Sequence, residues 1–182
     1  MKTKPKREKK EPKYKKYLVI TVGLFLISIM VLSVLQISGD EQKIDYNGYK
    51  FSKVDDGWLT YKNNNPVLVI NNPFDLEDVS IDDVYFGSIN KIYISYKDYI
   101  PANFNLIPFP VRPILATYDE KVSTAENIPL KDCVDADDNT LVIILQNGVQ
   151  VSRFDQNCLI IQGDKDEMIQ VVDKIILNLY GI

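Results

Sequence analysis

The sequence predicts an α+β protein: a single N-terminal transmembrane helix followed by a mixed β-sheet domain that ends in a β-β-β-α unit. Three observations carry this reading. Tyr17 to Ile37 is a run of 21 residues with no charge. Beyond it, short apolar or alternating stretches are separated by Asn, Gly and Pro, the punctuation of strands and turns. Near the C-terminus, Met168, Val171, Val172, Ile175, Ile176 and Leu179 recur at helical spacing on one stripe.

Residues 1–16 hold nine Lys and Arg against Glu8 and Glu11, a net of +7 within a whole-chain net of −4. The other 166 residues therefore carry −11. The tail is expected to be disordered, because lysines and Pro5 and Pro12 give it nothing to bury. A basic run of this kind also suits nucleic acid. Its position against the apolar run favours a topology determinant touching anionic lipid, and no nucleic-acid partner is expected.

A bilayer's hydrocarbon core takes about 20 apolar helical residues, so residues 17–37 read as a span. The run is too long for a secretory signal and lacks a small-residue cleavage site, so an uncleaved anchor is expected. Lysines on its N-terminal side place that side in the cytoplasm. Residues 38–182 are then outside, with 38–43 a linker and 44–182 the extracytoplasmic domain. About 140 residues suffice for one core.

The domain opens with a predicted hairpin, Tyr49 to Val54 turning at Asp55–Gly57 into Trp58 to Tyr61. Val67 to Ile70 is a short strand. Asn72 followed by Pro73 caps a short helix over "NNPFDLEDV". Ile89 to Tyr96 alternates and reads as a strand. Pro101, Pro108, Pro110 and Pro113 make the next stretch extended or looped. Ile114 to Tyr118 is a candidate edge strand, and Lys121 to Thr140 reads mostly as loop. Leu141 to Leu145 is apolar throughout, so both its faces are expected to be covered. Asn147-Gly148 suits a type I′ hairpin into Val149–Phe154. Cys158 to Gly163 is the third strand. Asp164 with Glu167 forms a capping box for the last helix, and Gly181 suits its exit.

The stretches "YNGYKF…GW", "NPFDLEDV", "INKIYISY" and the run from Asn139 to Ile182 resemble small archaeal membrane proteins. These have a basic N-terminus, one span and an outer α/β domain. The resemblance covers most of residues 46–182. It implies architecture, and it carries no activity and no functional residue to this chain.

Cys133 and Cys158 are the two cysteines, both in the outer part. An even count in an oxidising compartment predicts a disulfide, against the alternative of two buried thiols. Asp135, Asp137 and Asn139 alternate as in a calcium loop. That pattern then wants Gly and Glu where Thr140 and Gln146 stand, so a solvated turn is the stronger reading and no metal is expected. The chain has no histidine, which removes the commonest general base and the Ser-His-Asp triad. No phosphate-binding glycine loop occurs, no cofactor is implied, and no residue is singled out as catalytic.

Tyr93, Tyr96 and Tyr99 are candidates for a recognition face, since tyrosine offers rigid amphipathic area; a strand with core and edge aromatics is the competing reading. Arg112 lies in the proline loop "PFPVRP", a rigid edge protector or a docking element. Two functions stay open: a membrane-anchored extracytoplasmic module that binds an envelope protein or glycan, or an envelope enzyme using carboxylates or a cation.

Overall fold

A computed structural model of the chain describes residues 13–36 and 42–182, with the α1 side chains described at 17–30 except Val19. The expected tail, apart from its last four residues, and residues 38–41 of the expected linker lie outside these. The described residues fall into two units, one holding residues 13–36 and one from Gln42 to Ile182.

The first unit contains α1 (Lys13–Gln36), whose sequence carries lysines at 13, 15 and 16 and no charge from Tyr17 on. Tyr17, Leu24, Phe25 and Met30 are each more than 60% exposed. Among the described residues, no helix is long and apolar enough to cross a membrane. The predicted span extends to Ile37, which lies outside them, as do the side chains of residues 31–36.

The second unit is an α+β fold with two sheets, where the sequence predicts one. Antiparallel strands β1 (Lys43–Tyr46), β2 (Tyr49–Val54), β3 (Gly57–Lys62) and β4 (Asn65–Val69) follow one another in the first. Positive φ at Asn47-Gly48 and Asn63-Asn64 closes two of its hairpins with two-residue loops. Residues 42 and 43 belong to this sheet rather than to a linker, since the Lys53 N–H donates to the Gln42 carbonyl. Gly57, at φ +149°, crosses so close to β4 that a Cβ would sit 2.1 Å from the Val69 oxygen. Gly57→Ala is therefore expected to cost more than about 1 kcal/mol in urea unfolding; an unchanged midpoint would contradict this packing.

Pro73–Leu76 forms a 3₁₀ turn in place of the predicted helix, capped as expected by the Asn72 side chain accepting from Phe74 N–H. The second sheet contains β5 (Lys91–Tyr96), β6 (Ile114–Ala116), β7 (Thr140–Gln146), β8 (Val151–Asp155) and β9 (Cys158–Gln162), in the order β6-β5-β7-β9-β8. β6, β5, β7 and β9 run parallel, and β8 is antiparallel to β9. The expected β7–β8 hairpin at Asn147-Gly148 is corrected here. β7 is apolar at five consecutive positions, all buried, and its burial on both faces suits a strand interior to the sheet. β8 alternates in burial and takes the edge. The type I′ geometry instead lies at Gln156 and Asn157 (φ 44° and 60°), between β8 and β9.

The stretch read as loop holds α2 (Glu120–Glu126). Asp119 caps it by accepting from Lys121 and Val122 N–H, and Asn127 ends it at φ 54°. α3 (Lys165–Leu179) starts at the Asp164–Glu167 capping box. It packs on β4 of the first sheet and on β9 of the second. One apolar core joins both sheets and α3 through Phe51, Trp58, Ile92, Leu141, Leu159 and Ile175. A smaller cluster on the opposite face of the second sheet holds Val142, Ile144 and Cys158, with Tyr93, Tyr118 and Cys133 against it. Cys133 and Cys158 are disulfide-bonded, Cα to Cα 5.3 Å, as the cysteine count predicts.

Candidate functional site

The chain between β5 and β6 builds the most apolar concavity among the described clefts. Its proline-rich sequence explains its form. Ala102–Leu106 makes a 3₁₀ turn behind Pro101, and Phe104 and Ile107 are buried beneath it. Phe109 stacks at a tilt on Phe104 (5.6 Å between ring centroids) and on Phe86 (5.4 Å). Pro108, Pro110 and Pro113 fix φ and remove backbone donors, so the segment keeps an extended course without pairing. The result is a groove of about 600 Å³ whose lining includes Ile94, Ile100, Phe104, Val111 and Leu115. Its one charged lining residue is Arg112. Among the described residues no ion pair engages Arg112, and it is the one charged residue from Tyr99 to Tyr118.

Behind the groove, the 3₁₀ turn is tied to α3 by Asn103. Its amide donates to the Ile169 carbonyl (2.9 Å) and to the Asp173 carboxylate (2.6 Å). Asp173 is fully buried and also accepts from the backbone and side-chain N–H groups of Asn71 (2.8 and 2.9 Å). Burial pushes its carboxyl above the usual range, opposed by these donors. Asp173 thus joins the groove wall, α3 and the end of β4.

The predicted tyrosine face does not form as one surface. Alternation along β5 puts Tyr93 with the smaller cluster, while Tyr96, like Ile92 and Ile94, packs against the main core. Tyr99 also packs on the main core, under the Lys165 ammonium at 5.0 Å. The Tyr96 hydroxyl donates to Glu126 (2.9 Å), which raises its pKa. Lys91 and Lys131 lie over the Tyr93 ring. Of the four candidate binding residues, Arg112 alone lines the groove. The apolar lining itself was missed, although Phe104 and Phe109 among four prolines were its signal.

Asp135 ends a 3₁₀ turn (Cys133–Asp135), and Asp137 and Asn139 lie in the next turn, closed by the Asp137–Thr140 bridge before β7. The Asp135 carboxylate takes the Lys131 ammonium (2.7 Å) and the Asp132 N–H, and both hold its pKa down. Asp137 accepts from Asn139 N–H, which lowers its pKa most. Among the described residues no group of three or more Asp, Glu, His or Cys is placed to hold a metal ion. A cleft near β8 is lined by Asp78, Asp82 and Arg153, but Asp82 accepts from Phe154 N–H (2.9 Å) and so serves the strand edge.

Fold and site together define an α+β domain with a rigid, carboxylate-free apolar groove. No family model, curated protein or solved structure matches the chain.

Proposed function

We propose that the protein is a membrane-anchored extracytoplasmic binding or assembly module of the cell envelope, with the proline-loop groove as its contact surface. The single observation behind the binding role is the groove's lining: apolar and aromatic, with one cation and no carboxylate. Such a surface recognises and does not catalyse, because no general acid, base or nucleophile converges on it.

The anchor rests on the uncharged run from Tyr17 to Ile37 and the lysines before it. A helix over those 21 residues would extend about 32 Å, against a core of about 30 Å. The described side chains of α1 are uncharged, predominantly apolar and mostly exposed, an arrangement suited to lipid. The +7 flank argues for a cytoplasmic N-terminus and an outer domain. The Cys133–Cys158 disulfide agrees with an oxidising compartment. The partner is an envelope protein or glycan, with the bilayer holding the module beside it.

The binding role is tested by the double substitution Val111→Asp with Leu115→Asp, both at the groove. The variant is expected to keep its circular dichroism and unfolding midpoint while losing the envelope components cross-linked to the wild-type chain in its own membranes. An identical cross-linked set from a folded variant overturns the groove as the contact surface.

A further inference from the structure

The groove borders a sheet edge that is open where it meets Leu115. β6 is the outermost strand of the second sheet and pairs with β5. Just past it, the Thr117 N–H donates to Pro129 O (3.0 Å) and the Thr117 carbonyl accepts from Lys131 N–H (2.8 Å). Thr117 therefore turns its backbone groups away from β5. Backbone direction alternates along a strand, so Leu115, two residues earlier, turns its N–H and C=O the same way. Residues 129–131 cover Thr117, and among the described residues no backbone hydrogen bond reaches Leu115 from that side. Ile114 and Leu115 are 42% and 47% exposed and, as neighbours in a strand, sit on opposite faces.

The other edge of this sheet is guarded. On β8 the outward Phe154 N–H is taken by the Asp82 carboxylate at 2.9 Å, a common way of blunting an edge. At β6 an unpaired edge, exposed apolar side chains and an apolar groove coincide. We propose that an extended segment of a partner protein, apolar at alternate positions and carrying one carboxylate, adds as a strand to β6 at Leu115. Its alternate side chains enter the groove and its carboxylate meets Arg112.

This inference rests on the binding reading above and narrows it to a peptide. A peptide backbone supplies donors and acceptors at the strand repeat, which a glycan or an acyl chain lacks. Charge complementarity selects the carboxylate. The chain beyond residue 16 carries a net of −11, so an acidic segment is repelled over most of it, while Arg112 stands without an ion-pair partner among the described residues.

The test uses the full-length chain in detergent and an array of terminally blocked octapeptides. These alternate Val, Ile, Leu or Phe with Thr or Ser and include one Asp. Binding peptides are expected to slow amide hydrogen exchange at Leu115 and to lose about tenfold or more in affinity when N-methylated at alternate amides. Arg112→Gln is expected to weaken them about five- to tenfold, with no such effect on peptides carrying Asn for Asp. Binding that ignores N-methylation, or leaves Leu115 exchange unchanged, overturns strand addition and leaves a groove binder of another kind. An array without any binder also overturns the peptide, and the Val111/Leu115 cross-linking result then decides separately whether the groove binds at all.

Discussion

Replacing both Cys133 and Cys158 with serine is expected to lower the unfolding free energy by about 3.5 kcal/mol. The two cysteines are 25 residues apart, and closing a loop of that length removes about this much chain entropy from the unfolded state. The folded state should change little, because the segment before Cys133 is held independently. Ser95 Oγ donates to the Lys131 carbonyl (2.5 Å), and Lys131 N–H donates to Thr117 O. The double variant should therefore keep its circular dichroism while its urea midpoint drops. A loss under about 1 kcal/mol would mean that the bridge constrains a chain already constrained in the unfolded state. Collapse of the fold itself would mean that the smaller cluster around Val142, Ile144 and Cys158 depends on the bridge for its packing.

Removing the Asp173 carboxylate should have a comparable effect, and its pH dependence has a definite sign. Asp173→Ala strips the acceptor from the backbone and side-chain N–H groups of Asn71 and from the Asn103 amide. Buried donors left unpaired cost about 1–3 kcal/mol each, so a total of about 3 kcal/mol is expected. The carboxyl is held above its ordinary value of 3.8, chiefly by burial. The folded state thus binds its proton more tightly than the unfolded state does. Stability contributed by this group falls as pH rises from 3.8 through the raised value, and is constant above it. Asp173→Asn removes that titration while keeping a carbonyl acceptor. The difference in stability between wild type and Asp173→Asn should therefore shrink or reverse as pH rises across this window. A difference that grows with pH would mean that the Asn71 and Asn103 donors outweigh burial.

Local chemistry made much of this fold legible. Asn72-Pro73, Asp164 with Glu167, and the continuous run Leu141–Leu145 each announce one conformation through capping or complete burial, and each is found. Strand partnership was not legible in the same way. Asn147-Gly148 and Gln156-Asn157 both sit between strand-like stretches, and Asn-Gly is the stronger hairpin signal. The preference of β7 for two covered faces decides in favour of Gln156-Asn157, and that is a property of the whole sheet. α2 escaped because its seven residues bury none of their side chains, so no apolar stripe betrays it. Its signals were the flanking Asp119 and Asn127. At the site, Arg112 and the prolines were visible as a rigid element. The groove was not, since Ile94, Phe104 and Leu115 meet only once β6 lies beside β5. The tyrosine face failed for a reason the strand period itself contains: Tyr93 and Tyr96 differ by an odd number.

The central claim, a disulfide-closed binding domain held outside the cell by its anchor, is tested most directly by sided thiol labelling. Intact cells are treated with a membrane-impermeant phosphine reductant and then with a membrane-impermeant maleimide. The account predicts that Cys133 and Cys158 are unlabelled without reductant and both labelled with it before any lysis. Thiols that label only after lysis, or that label after lysis without reductant, would contradict it.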